Sequence, residues 1–318
     1  MDILLTNTGR RTYFIKYLIS LTKYYKKLKI HVSDSSIISP ALNFNSKKIK
    51  KHLLPKIRNN KEKYLNKLIN VVKKNNIRLI IPLADYDLEI LAEKKNKFKE
   101  LNCEVVISSH ELVKNFLNKK FTYLLCKKNK IKTPKIWLDI KELKRKFKKK
   151  IFIKKHIYGS ASSGFLILDN KIKYSFFKKG RDLIQEHISG TELHFDILND
   201  LNGKFLGACV KKKISMRSGE TDKAEIIFKK SYIDLAKRIS NSFRHIGNLD
   251  CDAIKDNRGN LYWTDFNPRF GGGYPFTHLS GYNFLKAIID SKLKKKINLP
   301  KKPKLIRAAK GIDVYASS

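Results

Sequence analysis

Acidic residues, cysteine pairs and long apolar runs are what this chain has least of. Against 69 Lys and Arg stand only 28 Asp and Glu in 318 residues, a formal charge of +41. So basic a balance predicts attraction to polyanions such as nucleic acid, acidic membranes or nucleotides. Lys, Asn and Ile fill most surface positions, as in KKNNIRLI, so a compositional bias is the simpler reading of the charge. The four cysteines, Cys103, Cys126, Cys209 and Cys251, lie far apart and form no CxxC pair. That argues against a zinc site or a disulfide framework and fits a reducing, cytoplasmic setting. No apolar run approaches the ~20 residues that span a membrane. The opening MDILLTNTGRR places apolar before basic residues, the reverse of a signal peptide. What the chain does have is 42% hydrophobic and 11% aromatic residues, enough for a sizeable core split into two or three subdomains.

Two catalytic signatures are also missing. TNTGRR has one glycine where the dinucleotide fingerprint GxGxxG needs three, although Asp34 could still mimic its ribose-binding acid. Neither GxSxG nor a Cys–His signature supplies a side-chain nucleophile.

The first third alternates strands and helices. DILLT, KIHVSD, IRLIIPLAD and CEVVISS read as strands; RTYFIKYLISLTKYY, YLNKLINVVKKNN and DLEILAEKKNKF read as helices. The alternation predicts a doubly wound parallel sheet, with Thr6–Arg11, Asp34 and Asp85 on its ligand-binding rim. Beyond ELVKNFLNKKFTYLLCKKNKIKTPKIW the pattern becomes strands, one helix (SYIDLAKRISNSFRHIG) and a hairpin (LDCDAIKDNRGNLYWTDFNP), which predicts α+β architecture. The lysine-rich 291–318 segment reads as a basic tail.

The hairpin carries the strongest chemical signal. A turn centred between Arg258 and Gly259 sets Asp252 directly across from Asp265, and the period of two puts Asn267 on the same face. Two facing carboxylates repel unless a cation lies between them, and Mg²⁺ takes such carboxylates together with phosphate oxygens and water. A second signal is GSASSG at 159–164, a small-residue loop whose backbone N–H groups and serines suit an anion, preceded by Lys154 and Lys155.

These segments resemble the ATP-grasp superfamily, in particular stand-alone proteins similar to the ATP-binding domain of the carbamoyl-phosphate synthase large chain. DILLTNTGRR, LIIPLADYDLEILA, NKKFTYLL…KTP, FIKKHIYGSASSG, QEHISGTELHFDIL, GNLDCDA and DFNPRFGGGYPFTH occur in the family's order over nearly the whole chain, and the last is the most specific. The resemblance implies a Rossmann-like pre-ATP-grasp domain at 1–112 with a parallel sheet. A two-subdomain ATP-grasp fold would follow, at 113–184 with the phosphate loop and at 185–290 with the Mg²⁺ site. It implies that Lys154 or Lys155 contacts ATP and that Ser160 and Ser162 lie over the phosphates. Gln185, Glu186 and His187 would form the adenine-reading hinge, and Glu192 would bind the ribose. Asp252, Asp265 and Asn267 would hold Mg²⁺, with Mn²⁺ an alternative, and Arg269 with Asn267 would serve the transferring phosphate. Departures are Asp265 where the family usually has Glu, Lys154–Lys155 where it often has Lys-Pro, and Gln185 in place of a hinge acid.

The reaction so implied is ATP-dependent joining of a small anionic carboxylate to an amine or other nucleophile, through an acyl phosphate. Catalysis would come from positioning and electrostatics. Arg10, Arg11, Asp85 and His278 are candidates to touch the substrate, and Gly271–Gly273 would allow positive φ and close backbone approach. His187 and His194 read as ordinary strand residues; Lys211, Lys213 and Arg217 share one strand face, where the resemblance implies basic phosphate contacts and the residues alone fit a solvated lysine face equally well. The competing readings are a polyanion- or nucleic-acid-binding protein and an ATP-grasp domain that binds nucleotide without catalysis; a homodimer is compatible with any of these.

Overall fold

The structure, a computed structural model, describes residues 1–143, 151–159, 164–168 and 177–316. The first part is a five-stranded parallel sheet of β1 (Asp2–Thr6), β2 (Lys29–Asp34), β3 (Ile49–Leu53), β4 (Ile77–Pro82) and β5 (Glu104–Val105), ordered β3-β2-β1-β4-β5. Its middle strands are apolar on both faces: Ile3, Leu4, Leu5, Leu79, Ile80 and Ile81 are all buried, as a sheet covered by helices on both sides requires. The helices are α1 (Tyr13–Leu21), α2 (Lys61–Asn75), α3 (Leu88–Glu93) and α4 (Lys95–Glu100). Asn60 caps α2 by accepting from Lys63 N–H, and Asn76 ends it in the left-handed conformation. Two expectations needed revision. DLEILAEKKNKF is two helices, broken at Lys94. IKKHL forms β3, which the periodicity missed because an edge strand exposing lysines lacks the alternating pattern of a half-buried one.

Helices α5 (His110–Leu117) and α6 (Lys119–Lys128) lead into a small antiparallel sheet of β6 (Ile136–Trp137), β7 (Phe152–His156), β8 (Leu166–Leu168) and β9 (Asp182–Glu186), ordered β6-β9-β7-β8. Gln185 and Glu186 still pair within this sheet, with Ile136 and Phe152, so it runs past the expected boundary at 184.

The third sheet holds β10 (Gly190–Asn199), β11 (Phe205–Arg217), β12 (Glu220–Ile227), β13 (Gly247–Asp256), β14 (Leu261–Asn267) and β15 (Arg307–Ala309), ordered β14-β13-β10-β11-β12-β15 and antiparallel throughout. Helix α7 (Lys230–Phe243) packs on one face, burying Tyr232, Ala236, Ile239 and Phe243. A parallel sheet followed by antiparallel sheets is the architecture expected. The 291–318 segment is not a free tail, however. Its β15 pairs with β12, and Leu299, Ile306, Ala308 and Tyr315 pack against the core. Apolar residues among the lysines cover an otherwise open sheet edge.

The parallel sheet docks on the large sheet through α8 (Tyr274–Leu279) and α9 (Phe284–Lys292). Tyr274 stacks on Phe14 of α1 at 5.3 Å and Phe270 meets the same ring edge-on at 5.2 Å, so the segment after β14 is clamped between the two parts. That clamp faces the carboxyl ends of β1 and β4.

Candidate functional site

A cleft of about 970 Å³ opens where the three sheets meet. The parallel sheet contributes Asn7–Arg11 after β1 and Asp85 after β4; the small sheet contributes Lys155 and Gln185; the large sheet contributes Glu192, His194, Lys213, Asp252, Asp265, Asn267 and Arg269. Ligand rims at the carboxyl ends of parallel strands are the general rule for such sheets.

In the β13–β14 hairpin Asp252 pairs with Asp265 and Asp250 with Asn267. The register behind this differs from the one counted along the sequence. Near the turn Lys255 faces Leu261 and Ala253 faces Trp263, so the turn centres on Arg258. A one-residue bulge between Ala253 and Asp252 leaves Thr264 unpaired and restores the Asp252–Asp265 opposition. Without it Asp252 would face Thr264, and Asp265 would fall opposite Cys251, whose side chain is buried on the other face.

Each carboxylate has cationic company. Lys213 Nζ lies 2.8 Å from Asp252 Oδ1, and His194 Nδ1 donates to the same oxygen at 2.9 Å. Burial works against the Asp252 charge, but Lys213 and His194 outweigh it and hold the carboxyl well below the usual range. Asp265 has Lys119 at 4.0 Å. Side chains of both acids are about a third exposed, at 32% and 30%. Asn267 donates its amide nitrogen to Asp250 Oδ2 at 3.3 Å, which leaves its Oδ1 for a cation. Two carboxylates and an amide oxygen are a hard-oxygen donor set of the kind Mg²⁺ takes.

Behind them lies a buried charge network that sequence reading did not anticipate. His194 Nε2 stands 2.7 Å from Asp250 Oδ1. Burial and Lys211 push its pKa down, yet Asp250 and Asp196 prevail and raise it to about 10, so the ring is an imidazolium at neutral pH. Lys211, fully buried, is paired with Asp196 and donates to Gly273 O at 3.1 Å and Thr277 Oγ1 at 2.8 Å. Lys213 is also buried, between Asp252 and Glu192. Neither lysine lies on a solvated face. The register shifts around Ser215 carry Arg217 away from them to an exposed pair with Asp222.

Arg269 is buried in the cleft wall. Its Nε and Nη2 bind Asp85 Oδ1 and Oδ2 at 2.7 and 3.1 Å, a two-point carboxylate grip, and its Nη1 reaches Asp250 Oδ2 at 3.2 Å. His194, Asp196 and Asp250 could geometrically surround an ion, the one such group found among the described residues. An imidazolium has no lone pair to offer, and Lys211 already neutralises Asp196, so this trio reads as an ion-pair network and not a metal centre.

The three glycines after Arg269 have a role other than the one expected. None has positive φ. Each instead makes room for a charged side chain. A Cβ on Gly271 would run into the Asp250 carboxylate, one on Gly272 would lie 2.6 Å from Glu220 Cδ, and one on Gly273 3.0 Å from His194 Nε2.

Of the two lysines on β7, Lys155 lines the cleft; Lys154 is buried on the opposite face, 3.8 Å from Asp182. Burial lowers the Lys155 pKa, partly offset by Asp265 and Asp252. Gln185, Glu186, His187 and Glu192 all line the cleft. Ser160 and Ser162 lie outside the described residues. His278 does not line the cleft: α8 turns it onto Tyr17, ring to ring at 3.7 Å. Asp34 is engaged by backbone N–H groups of Gly9, Ser35 and Ser36 at 2.7–3.2 Å, a turn-stabilising role and not that of a ribose acid.

Asp250, His194, Lys213 and Glu220 are the site residues that sequence reading missed. The signal was present in the alternation: Glu192, His194 and Asp196 share one face of β10, Asp250 and Asp252 one face of β13, and the two strands pair with His194 opposite Asp252.

Two family models match the chain: a PylC-like N-terminal domain over residues 3–106 and an ATP-grasp domain over residues 116–273. Among solved structures, biotin carboxylase from Campylobacter jejuni is similar with a TM-score of 0.73 at 14% identity, covering 96% of this chain and 73% of that one. N5-carboxyaminoimidazole ribonucleotide synthetase from Thermotoga maritima gives 0.68 at 14% identity, over 94% and 77%. L-amino acid ligase from Bacillus licheniformis gives 0.69 at 15% identity, over 92% and 74%. At these identities the likeness is one of fold. No curated protein matches the sequence significantly.

Proposed function

Because the chain belongs to the ATP-grasp family, we propose that it is an ATP- and Mg²⁺-dependent ligase that activates a small carboxylate as an acyl phosphate and joins it to an amine or other nucleophile. The observation that carries this reading is the in-register pair Asp252–Asp265, with Asn267 beside it, on the wall of a cleft whose other side presents Lys155 and Gln185. Solved structures of the same fold include a biotin carboxylase domain in complex with MgADP.

The domains we assign are a Rossmann-like unit at 1–112, a first ATP-grasp subdomain at 113–186, which keeps Gln185 and Glu186 with their sheet, and a second from 187 onward that takes in β15. Asp252, Asp265 and Asn267 would hold the ion, which when bound would neutralise charge on the phosphate oxygens. Lys155, not Lys154, contacts the phosphates, since it is the one facing the cleft. Gln185, Glu186 and His187 read the adenine by hydrogen bonds, and Glu192 accepts from the ribose hydroxyls. Lys213 and His194 keep Asp252 ionised and fixed in the cleft wall, charged for the role of a cation ligand. Arg269, oriented by Asp85 and Asp250, stabilises negative charge developing on the transferring phosphoryl group. The substrate enters from the Arg10–Arg11 rim. The four cysteines are free and buried, and no helix among the described residues is long and apolar enough to cross a membrane, in keeping with a cytoplasmic enzyme.

The test is ADP release with pools of carboxylates and amines, run beside thermal shift with ATP and Mg²⁺. At least one pool should stimulate ADP formation, and Asp265→Ala should abolish both the stimulation and the Mg²⁺-dependent part of the shift. No stimulation by any pool, together with no shift by ATP–Mg²⁺, refutes the reading.

A further inference from the structure

The segment taken from sequence for a tail delivers a side chain to Glu220, which lines the cleft. Pairing of β15 with β12 continues as Lys310 N–H donates to Asp222 O at 2.9 Å, and Lys310 Nζ then lies 3.4 Å from Glu220 Oε2. Glu220 opens β12 directly after the tight Ser218–Gly219 turn, both residues of which have positive φ. Its other oxygen, Oε1, is 3.4 Å from Arg10 Nη2 and 3.3 Å from Arg11 Nη2. Three cations from opposite ends of the chain thus share one carboxylate.

Two features mark this as an unfinished arrangement. All three contacts are loose, at 3.3–3.4 Å, where tight charge-assisted bonds measure about 2.7–2.9 Å. One carboxylate among three cations also leaves an excess of positive charge, and Arg11 and Lys310 are only 16% and 17% exposed. Burial opposes the charge on Lys310. The contact path from Asp252 runs through His194, Asp250 and Arg269 to Phe270 O, which also accepts from Arg11, so the cluster adjoins the Arg269 wall of the same cleft, whose lining includes Arg10, Arg11 and Glu220.

We propose that Arg10, Arg11 and Lys310 form a subsite for an anionic oxygen group, carboxylate or phosphate, on a part of the substrate that does not react, and that Glu220 fills it until substrate arrives. This rests on the ligase reading, and it narrows the substrate class to molecules carrying a second anionic group.

The experiment is calorimetric titration of glutarate, and in a separate arm of inorganic phosphate, into the full chain saturated with MgADP. Wild type is compared with Arg10→Ala, Lys310→Met and Glu220→Gln. At least one anion should bind. Arg10→Ala and Lys310→Met should each weaken it about fivefold, the worth of one partly exposed ion pair. Glu220→Gln should tighten it, because the competing internal carboxylate has lost its charge. Arg10 is 57% exposed, so its variant tests the subsite without threatening the fold. Absence of binding by both anions, or any pattern in which Glu220→Gln fails to tighten, overturns the proposal. The preceding MgADP titration is a separate readout: its failure would count against the ligase reading, and the anion titrations would then be run on the nucleotide-free chain.

Discussion

Gly271→Ala isolates the reason for the glycine run. The backbone there needs no positive φ, so alanine is conformationally acceptable, and the three atoms nearest its methyl all belong to the Asp250 carboxylate. All three atoms of that carboxyl group lie where the new methyl would go. They cannot simply swing aside, because Asp250 is held by Arg269 at 3.2 Å, His194 at 2.7 Å and Asn267 at 3.3 Å. Overpacking of this kind costs about 1–3 kcal/mol, or a fall in melting midpoint of roughly 1.5–4.5 °C for a chain of 318 residues. The decisive measurement is a double-mutant cycle by urea unfolding, followed by tryptophan fluorescence. In an Asp250→Ala background the obstacle is gone, and Gly271→Ala should then cost almost nothing. The coupling between the two sites should equal nearly the whole cost of the single substitution. If Gly271→Ala is equally harmful with and without Asp250, the carboxylate is not what the glycine accommodates. ATP–Mg²⁺ affinity, measured in parallel, should fall in the single variant, since displacing Asp250 disturbs His194 and through it Asp252.

Deleting Thr264 closes the bulge yet leaves Asp265 opposite Asp252, with Trp263 and Phe266 still on the buried face, so Mg²⁺-dependent nucleotide binding should stay within about tenfold of wild type; a larger loss would show that the site needs the bulge itself and not only the Asp252–Asp265 opposition. His245 is fully buried, with its Nε2–H donating to Ile197 O at 3.1 Å, and burial lowers its pKa to about 4 despite that bond. A base depressed on folding leaves the folded chain with fewer protons than the unfolded one between about pH 6.5 and 4. The stability it contributes is therefore complete above pH 6.5 and lost as pH falls toward 4, on the order of 3 kcal/mol. The stability difference between wild type and His245→Gln should shrink by about that amount from pH 7 to pH 4; a difference independent of pH would refute it.

Much of this protein could be read directly from local pattern. The apolar runs of β1, β2 and β4 alternate with helical periodicities, so the parallel sheet is legible wherever burial on both faces makes strands uniformly hydrophobic. The facing of Asp252 and Asp265 is legible because a hairpin converts sequence distance into contact. Yet it was reached through a turn centre half a residue off, and a bulge that leaves no local mark supplied the difference.

The order of the motifs, the acidic pair on the hairpin and the period-two grouping of Glu192, His194 and Asp196 are properties of the chain alone, since neighbours along a strand share a face in any fold. Which of Lys154 and Lys155 meets the cleft depends on how β7 sits between its neighbours. The pairing of Arg269 with Asp85, 184 positions away, and the meeting of Arg10 with Lys310 through Glu220 depend on the docking of one sheet against another. Charge in a sequence is a sum; only tertiary structure decides which charges lose their water together, and therefore which must pair, shift or wait for a ligand.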